Sequence, residues 1–378
     1  MAAYWIPVEF RSFLWAGFEC SSFITPNRGR HDLLADTRHD SQAESDYHLL
    51  GTVGIRTMRE GLRWHLIEPR PGRFDFTSVA PLTAAARATG AQVVWDLFHY
   101  GWPDGLDIFG AEFQERFLSF ADAALRFLSR ETEGPLLVCP VNESSFFSWG
   151  AGDKGLFFPY QVGRGFELKR ILVKAAIGAS RLARQINPRA VLIHADPLVR
   201  VAPNRSQPEL DATAAGYHNA QWQAWEMLAG RLEPELGGHP DLIDYLGINY
   251  YPGNQWEYEG PRLDPFDEAY IPFSRLLADA WLRYRKPLVI TETGAQGKLR
   301  AAWLRYVSGE VDLARRAGVP VDGLCLYPIL DHPGWDDGRH VRCGLYGFRR
   351  RGERREDPEY GQVVRDLSRR WSTAPTGA

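Results

Sequence analysis

The sequence predicts an α/β fold, a closed (β/α)8 TIM barrel with long loops over its C-terminal face, from three observations. Short runs rich in Val, Ile, Leu and aromatic residues recur along the chain. They fall at Phe13–Phe18, Gly54–Arg59, Gln92–Leu97, Leu136–Val141, Ala190–His194, Leu242–Asn249, Pro287–Thr291 and Val321–Tyr327, as strands buried on both faces require. A polar or aromatic residue stands at or just beyond the end of each run: Glu19, Arg59, His99, Glu143, Asp196, Tyr251, Glu292 and Trp335, at intervals of 40, 40, 44, 53, 55, 41 and 43 residues. Eight near-even strand–helix units form a parallel sheet that can bury its edges by closing. No Gly-rich phosphate turn follows an early strand, which ranks an open doubly wound sheet second.

Between the strands lie amphipathic patterns with recognisable ends. Thr77 or Ser78 can cap a helix that Gly90 terminates, and Asp357-Pro358 opens the last helix with a cap and a first-turn proline. The longest polar insertions, Pro26–Asp46 and Pro252–Tyr270, both follow strand ends and are expected over the barrel mouth. No linker-like stretch divides the chain, so residues 1–378 are expected to form a single domain.

Composition narrows the classes of function. The 378 residues carry 44 Lys+Arg against 47 Asp+Glu, a formal charge of −3, which gives no electrostatic reason to expect nucleic acid or an anionic membrane as partner. With 44% apolar and 24% charged residues the chain can build a core. Forty-eight aromatic rings (13 Trp, 15 Tyr, 20 Phe) suit apolar sugar faces as well as core packing. Glu9 and Arg11 interrupt the N-terminal apolar stretch and no membrane-length run follows, so a cytoplasmic protein is expected. Cys20, Cys139, Cys325 and Cys343 show no metal-ligand spacing and are expected to be reduced and structural. No dinucleotide fingerprint, P-loop, G-x-S-x-G or H-E-x-x-H motif is present, and neither a cofactor nor a metal is expected.

In a barrel of this kind, polar groups at the C-terminal strand ends converge on one mouth. Glu143 ends LLVCPVNE and Glu292 ends PLVITE, each after a strongly apolar run. Either alone could cap a helix or pair with an Arg; both at one mouth, with Arg59 beside them, point to acid/base groups.

These segments resemble glycoside hydrolase clan A. VNESS is similar to its acid/base Asn-Glu motif and ITETG to its nucleophile motif. FLWAGFECSSF, MREGLRWHLIEPRPGRFDF, LFHYGWP, DYLGINYYPGN and, more loosely, YPILDHPGW resemble, in order, the first, second, third, sixth and last strand segments of glycoside hydrolase family 1, the β-glucosidase-like family. The resemblance runs from about residue 13 to 348. It implies a retaining β-glycosidase acting on a small-molecule or oligosaccharide β-glycoside. Glu143 would be the acid/base and Glu292 the nucleophile, with carboxyl groups roughly 5–5.5 Å apart. Arg59 and the Tyr251 hydroxyl would support Glu292. Asn142 would donate to the sugar 2-hydroxyl, His99 would bind a glycone hydroxyl, and Trp335 would lie under the ring, with Tyr327 near it.

The sequence departs from the family where sugar hydroxyls are read. Phe23 stands where the family has a sugar-gripping Gln, Gly334 where it has a Glu, Tyr327 where a Trp is usual, and Ser144 where a Pro follows the acid/base. An ordinary β-glucosidase preference is therefore not expected, and the alternatives are a transglycosidase with little hydrolysis or a non-catalytic carbohydrate-binding barrel. A metal-dependent barrel enzyme is remoter, since no His-x-His strand is present.

Several groups have structural readings. Arg59 could pair with Glu60 or Glu19, and Tyr251, His99, Trp335 and Tyr327 could be packing. His194 and Asp196 are expected to form a buried structural pair. His31, Asp32, Asp36, His39 and Asp40 are expected in a mobile polar lid, and the basic run Arg349–Arg355 in a solvated loop. Tyr217, His218, Trp222 and Trp225 are expected as a packing stripe.

Overall fold

A computed structural model describes residues 8–26, 29–335, 337–348 and 352–372. Each apolar run supplies one barrel strand: β1 (Leu14–Gly17), β2 (Thr57–Gly61), β3 (Gln92–Asp96), β4 (Leu137–Cys139), β5 (Val191–Pro197), β6 (Tyr245–Asn249), β7 (Leu288–Thr293) and β8 (Val321–Leu326). Neighbours in sequence pair in parallel, and β1 pairs with both β2 and β8, so the sheet closes. Crossovers run through helices α1 (His39–Thr52), α2 (Ala80–Thr89), α3 (Glu112–Glu131), α4 (Gly165–Ile186), α5 (Gln223–Leu228), α6 (Phe273–Tyr284) and α7 (Leu299–Arg316), and α8 (Pro358–Ser372) ends the described chain.

The period-two alternation of the strands creates two apolar layers. Trp15, Val94, Leu137, Cys139, Ile193, Tyr245, Val289 and Cys325 fill the barrel interior, while Leu14, Ala16, Leu324 and Leu326 face the helices. On α3 the buried residues Phe113, Phe117, Phe120, Ala124 and Leu128 recur at helical spacing and form the complementary face. All four cysteines are buried and free. No helix among the described residues is long and apolar enough to cross a membrane.

Several local expectations are corrected. α2 begins after Val79 without a side-chain cap, because the Thr77 hydroxyl donates to Asp75, while Gly90 ends it at φ 66° as expected. On α8, Asp357 Oδ1 accepts from Tyr360 N at 3.0 Å, an N-cap as expected. The segment 29–46 is not a mobile lid. Asp32 caps a short helix, Leu33–Asp36, and α1 begins at His39, which is fully buried. Its Nδ1 lies 2.8 Å from Asp46 and its Nε2 2.8 Å from Glu60. A histidine between two carboxylates gives each of three buried groups a hydrogen bond, which favours order over solvation. Arg349–Arg351 lie outside the described residues, but Arg354 is no solvated group: its Nε and Nη2 each donate to Asp46 at 2.6 Å. The second insertion does reach the mouth, where Trp256 and Tyr258 line the cavity.

Candidate active site

The C-terminal strand ends open into a cavity of about 1370 Å³. Arg59 on β2 organises its floor. Its Nη1 donates to Glu292 Oε1 at 2.7 Å, its Nη2 to Asn142 Oδ1 at 2.7 Å, and its Nη2 and Nε meet both oxygens of Asp96 at 2.8 and 3.1 Å. Only 1% of Arg59 is exposed, so it is a fully desolvated cation committed to two carboxylates. The alternative partners Glu60 and Glu19 are not used. Glu60 accepts instead from Tyr47 and His39.

Glu292 sits on β7, where a strict alternation continued from the inward Val289 would send it outward. A register shift against β6 between Ile290 and Glu292 sets it opposite Asn249 and delivers its carboxylate to the cavity. There Oε1 accepts from Arg59 and Oε2 accepts from the Tyr251 hydroxyl at 2.8 Å.

Glu143 follows β4 on a strained backbone, φ 47° and ψ 58°, with its N–H donating to Ala195 O at 2.9 Å. Its Oε2 accepts from the Tyr100 hydroxyl at 2.5 Å. Burial, and next the negative charge of Glu292, push its carboxyl up to about 8, against the pull of Tyr100. The two glutamates share one cavity and act on each other electrostatically.

The sugar-binding candidates separate into two groups. His99, Tyr251, Tyr327 and Trp335 line the cavity. Asn142 does not: it is fully buried, its Oδ1 accepts from Arg59, and its Nδ2 donates to His99 Nε2 at 3.2 Å and the Tyr100 hydroxyl at 3.3 Å. With both amide ends engaged, Asn142 locks its neighbours and presents no atom to the cavity, contrary to expectation. The network sets the His99 tautomer: Nε2 accepts, so Nδ1–H donates to Asp96 at 3.0 Å. The Tyr327 ring stacks parallel to His99 at 5.9 Å, with the Arg59 guanidinium 5.5 Å from its centroid. Trp335 is held edge-on by Phe23 at 5.2 Å and Phe157 at 5.5 Å. Phe23 thus packs on Trp335 and does not line the cavity.

Two further expectations change. His194 and Asp196 are both buried but do not pair. His194 Nε2 meets Leu242 O at 2.8 Å, and Asp196 accepts from Ser145 N at 3.0 Å and Ser145 Oγ at 2.7 Å. Trp222 and Trp225 pack together at 5.8 Å, as a stripe would, but Tyr217 lies against Tyr258 at the cavity rim. The residues that sequence reasoning missed are Tyr100, Asp96, Asn249 and, as a cavity group, Glu19. Glu19 had one signal, its place at a strand end.

Among the described residues, one trio brings metal-capable atoms within 4.8 Å of one another: Cys20, Asp96 and His99. Asp96 is occupied by Arg59 and His99, His99 Nε2 by Asn142, and burial raises the Cys20 thiol. The donor set is therefore spent on the network and fits a structural role. A second cavity, about 960 Å³, opens at the opposite end of the barrel beside Arg11, Gln92 and Asp244 and holds neither glutamate.

No protein-family model and no curated protein matches the sequence. Solved structures do match in shape. The "AHE enzyme" from Alicyclobacillus herbarius superimposes with a TM-score of 0.80 at 17% identity, over 97% of this chain and 99% of that one. A family 1 β-glucosidase from Thermotoga maritima gives 0.76 at 16% identity, over 94% and 97%. The β-glucosidase from the same organism in complex with castanospermine gives 0.77 at 14% identity, over 95% and 98%. At such identities the likeness is one of fold: over nearly its whole length this chain is a (β/α)8 barrel built like the family 1 β-glucosidases of clan A.

Proposed function

We propose that the chain is a retaining β-glycosidase that hydrolyses, or transfers to an acceptor, a β-linked sugar. The observation that supports this most is a pair of glutamates in one cavity with opposed surroundings. Glu292 has a buried guanidinium and a phenol on its two oxygens, while Glu143 is pushed up to about 8. That division is what a two-carboxylate mechanism needs.

In the first step Glu292 attacks the anomeric carbon while Glu143 gives its proton to the departing glycosidic oxygen, leaving a glycosyl ester on Glu292. In the second, Glu143, now a carboxylate, takes a proton from water or from an acceptor hydroxyl, and that oxygen displaces Glu292. Arg59 and Tyr251 hold the nucleophile in line through both steps. His99, Tyr327 and Trp335 are the glycone contacts of this reading, and Asn142 positions His99, Tyr100 and Arg59. Four buried free thiols fit a reducing compartment, and a cytoplasmic location belongs to the same proposal.

The test is the variant Glu292→Ala on an aryl β-glycoside. Turnover is expected to vanish and to return in part with azide, which fits the space left by the carboxylate and gives a glycosyl azide of inverted configuration. In the wild type, an NMR time course is expected to give first the β-anomer of the released sugar; first release of the α-anomer defeats the retaining mechanism. One observation favours a second reading, a barrel that binds carbohydrate without cleaving it: neither Phe23 nor Gly334 can grip a hydroxyl through a side chain. Saccharide binding without turnover across a broad β-glycoside panel would select that reading.

A further inference from the structure

Glu19 is a third carboxylate in the cavity, and no step of the mechanism uses it. It lies two residues beyond β1. Its neighbour Phe18 is turned outward and stacks on His39, which leaves Glu19 turned toward the mouth. There it lines the same cavity as Tyr100, Tyr251, Tyr327 and Trp335. Only 7% of Glu19 is exposed. Its Oε1 accepts from Ser21 N at 3.0 Å, and among the described residues no other hydrogen bond and no cation engages it. Arg59, the buried cation of the floor, is committed to Glu292 and Asp96. The rest of its acceptor capacity faces the cavity, where a ligand's hydroxyls can replace water as donors.

We propose that Glu19 reads the glycone: its free acceptor positions take hydrogen bonds from sugar hydroxyls, and its charge excludes glycones bearing a carboxylate or phosphate. The inference rests on the glycosidase reading and adds a specificity residue to it. It also accounts for the two departures, since Phe23 is spent on packing against Trp335 and Gly334 has no side chain. A carboxylate is an acceptor only, so the preferred glycone is uncharged and presents a hydroxyl donor to Glu19. An anionic sugar at this end of the cavity would meet the charges of Glu19 and Glu292 together.

The experiment compares the full-length wild type with Glu19→Gln and Glu19→Ala on 4-nitrophenyl β-D-glucoside, galactoside, xyloside and glucuronide, with circular dichroism as the check on folding. Glu19→Gln keeps an oxygen for Ser21 N–H. On the best neutral glycoside, Glu19→Ala is expected to lose about ten- to a hundredfold in kcat/KM, the size of a hydrogen bond to a charged group. Both variants are expected to narrow the ratio of neutral glycoside to glucuronide by at least about tenfold, a readout that a merely structural Glu19 would not move. Variants within twofold of wild type with the same ratio overturn the assignment. If the wild type turns over no glycoside, the glycosidase reading has failed. The Glu19 assignment is then read by calorimetric titration with the uncleavable 4-nitrophenyl 1-thio-β-D-glycosides of the three neutral sugars. Binding that weakens tenfold or more in Glu19→Ala supports it; unchanged affinity, or no binding to the wild type, overturns it.

Discussion

At the scale of single residues, the proposed mechanism turns on the proton of Glu143. Its carboxyl is raised to about 8, first by burial and next by the charge of Glu292, so it is mostly protonated at neutral pH. The rate of glycoside cleavage is expected to fall as pH rises through about 8. For an aryl glycoside whose leaving group needs no proton, Glu143→Gln should flatten that alkaline limb; a limb that persists in the variant would mean another group controls it. The same shift has a stability consequence. A carboxyl raised in the folded state favours folding in acid, and that advantage is lost as pH rises from the unfolded value toward about 8. Glu143→Gln should therefore melt higher than wild type, by a margin that widens between pH 5 and 8. Arg59 presents the opposite case. Replacing it with Met leaves Glu292 and Asp96 without their buried cation, an expected loss of about 3–5 kcal/mol in denaturant unfolding, with turnover lost as well. The two glutamates and Arg59 were legible in the sequence because each ends an apolar run. Tyr100 and Asn249 were not, and for Glu19 the strand-end position marked the mouth without revealing which groups would face it there.

At the scale of elements, two contacts fix the geometry of the mouth. Gly17 ends β1 beneath Tyr327, and a Cβ there would lie 2.2 Å from the Tyr327 ring. Gly17→Ala is expected to destabilise by about 1–3 kcal/mol and, by tilting Tyr327, to raise KM for a glycoside. A variant with wild-type KM would dissociate that ring from sugar binding. The second contact ties α1 to β2 through His39, between Asp46 and Glu60. Burial alone would lower the His39 pKa, but the two carboxylates prevail and lift it to about 9. A raised histidine stabilises the fold fully below its unfolded value near 6.5 and loses that contribution as pH rises through about 9. His39→Leu should therefore be most harmful near pH 6, with the difference in melting temperature from wild type shrinking toward pH 9.5. A difference that grows with pH would show the pair is not ionised. Sequence reading missed this bolt because His31, Asp32, His39 and Asp40 look like one polar cluster until α1 turns His39 inward. The strand of Glu292 carries a similar lesson, since a register shift invisible in LVITET aims the residue.

At the scale of the whole molecule, the barrel is closed twice, by the pairing of β1 with β8 and by α8 across the outside of that seam. Val364, Leu367 and Trp371 are buried on α8, Trp371 packs on Phe13 at 4.4 Å, and its Nε1 donates to Asp312 on α7 at 2.9 Å. A chain truncated after residue 357 should lose the cooperative melt seen by circular dichroism, because the helical cover of the seam goes with α8. A truncated protein that melts at the wild-type temperature would show that the eight strands suffice. The sequence by itself determined the barrel, its eight units and the two glutamates, because strand length, apolar runs and spacing are properties of neighbouring residues. Only the tertiary structure decided that Asn142 is buried, that Phe23 packs on Trp335, and that Glu19 enters the cavity with a single hydrogen bond from the described residues. Those facts depend on distances across a closed sheet, which no local period encodes.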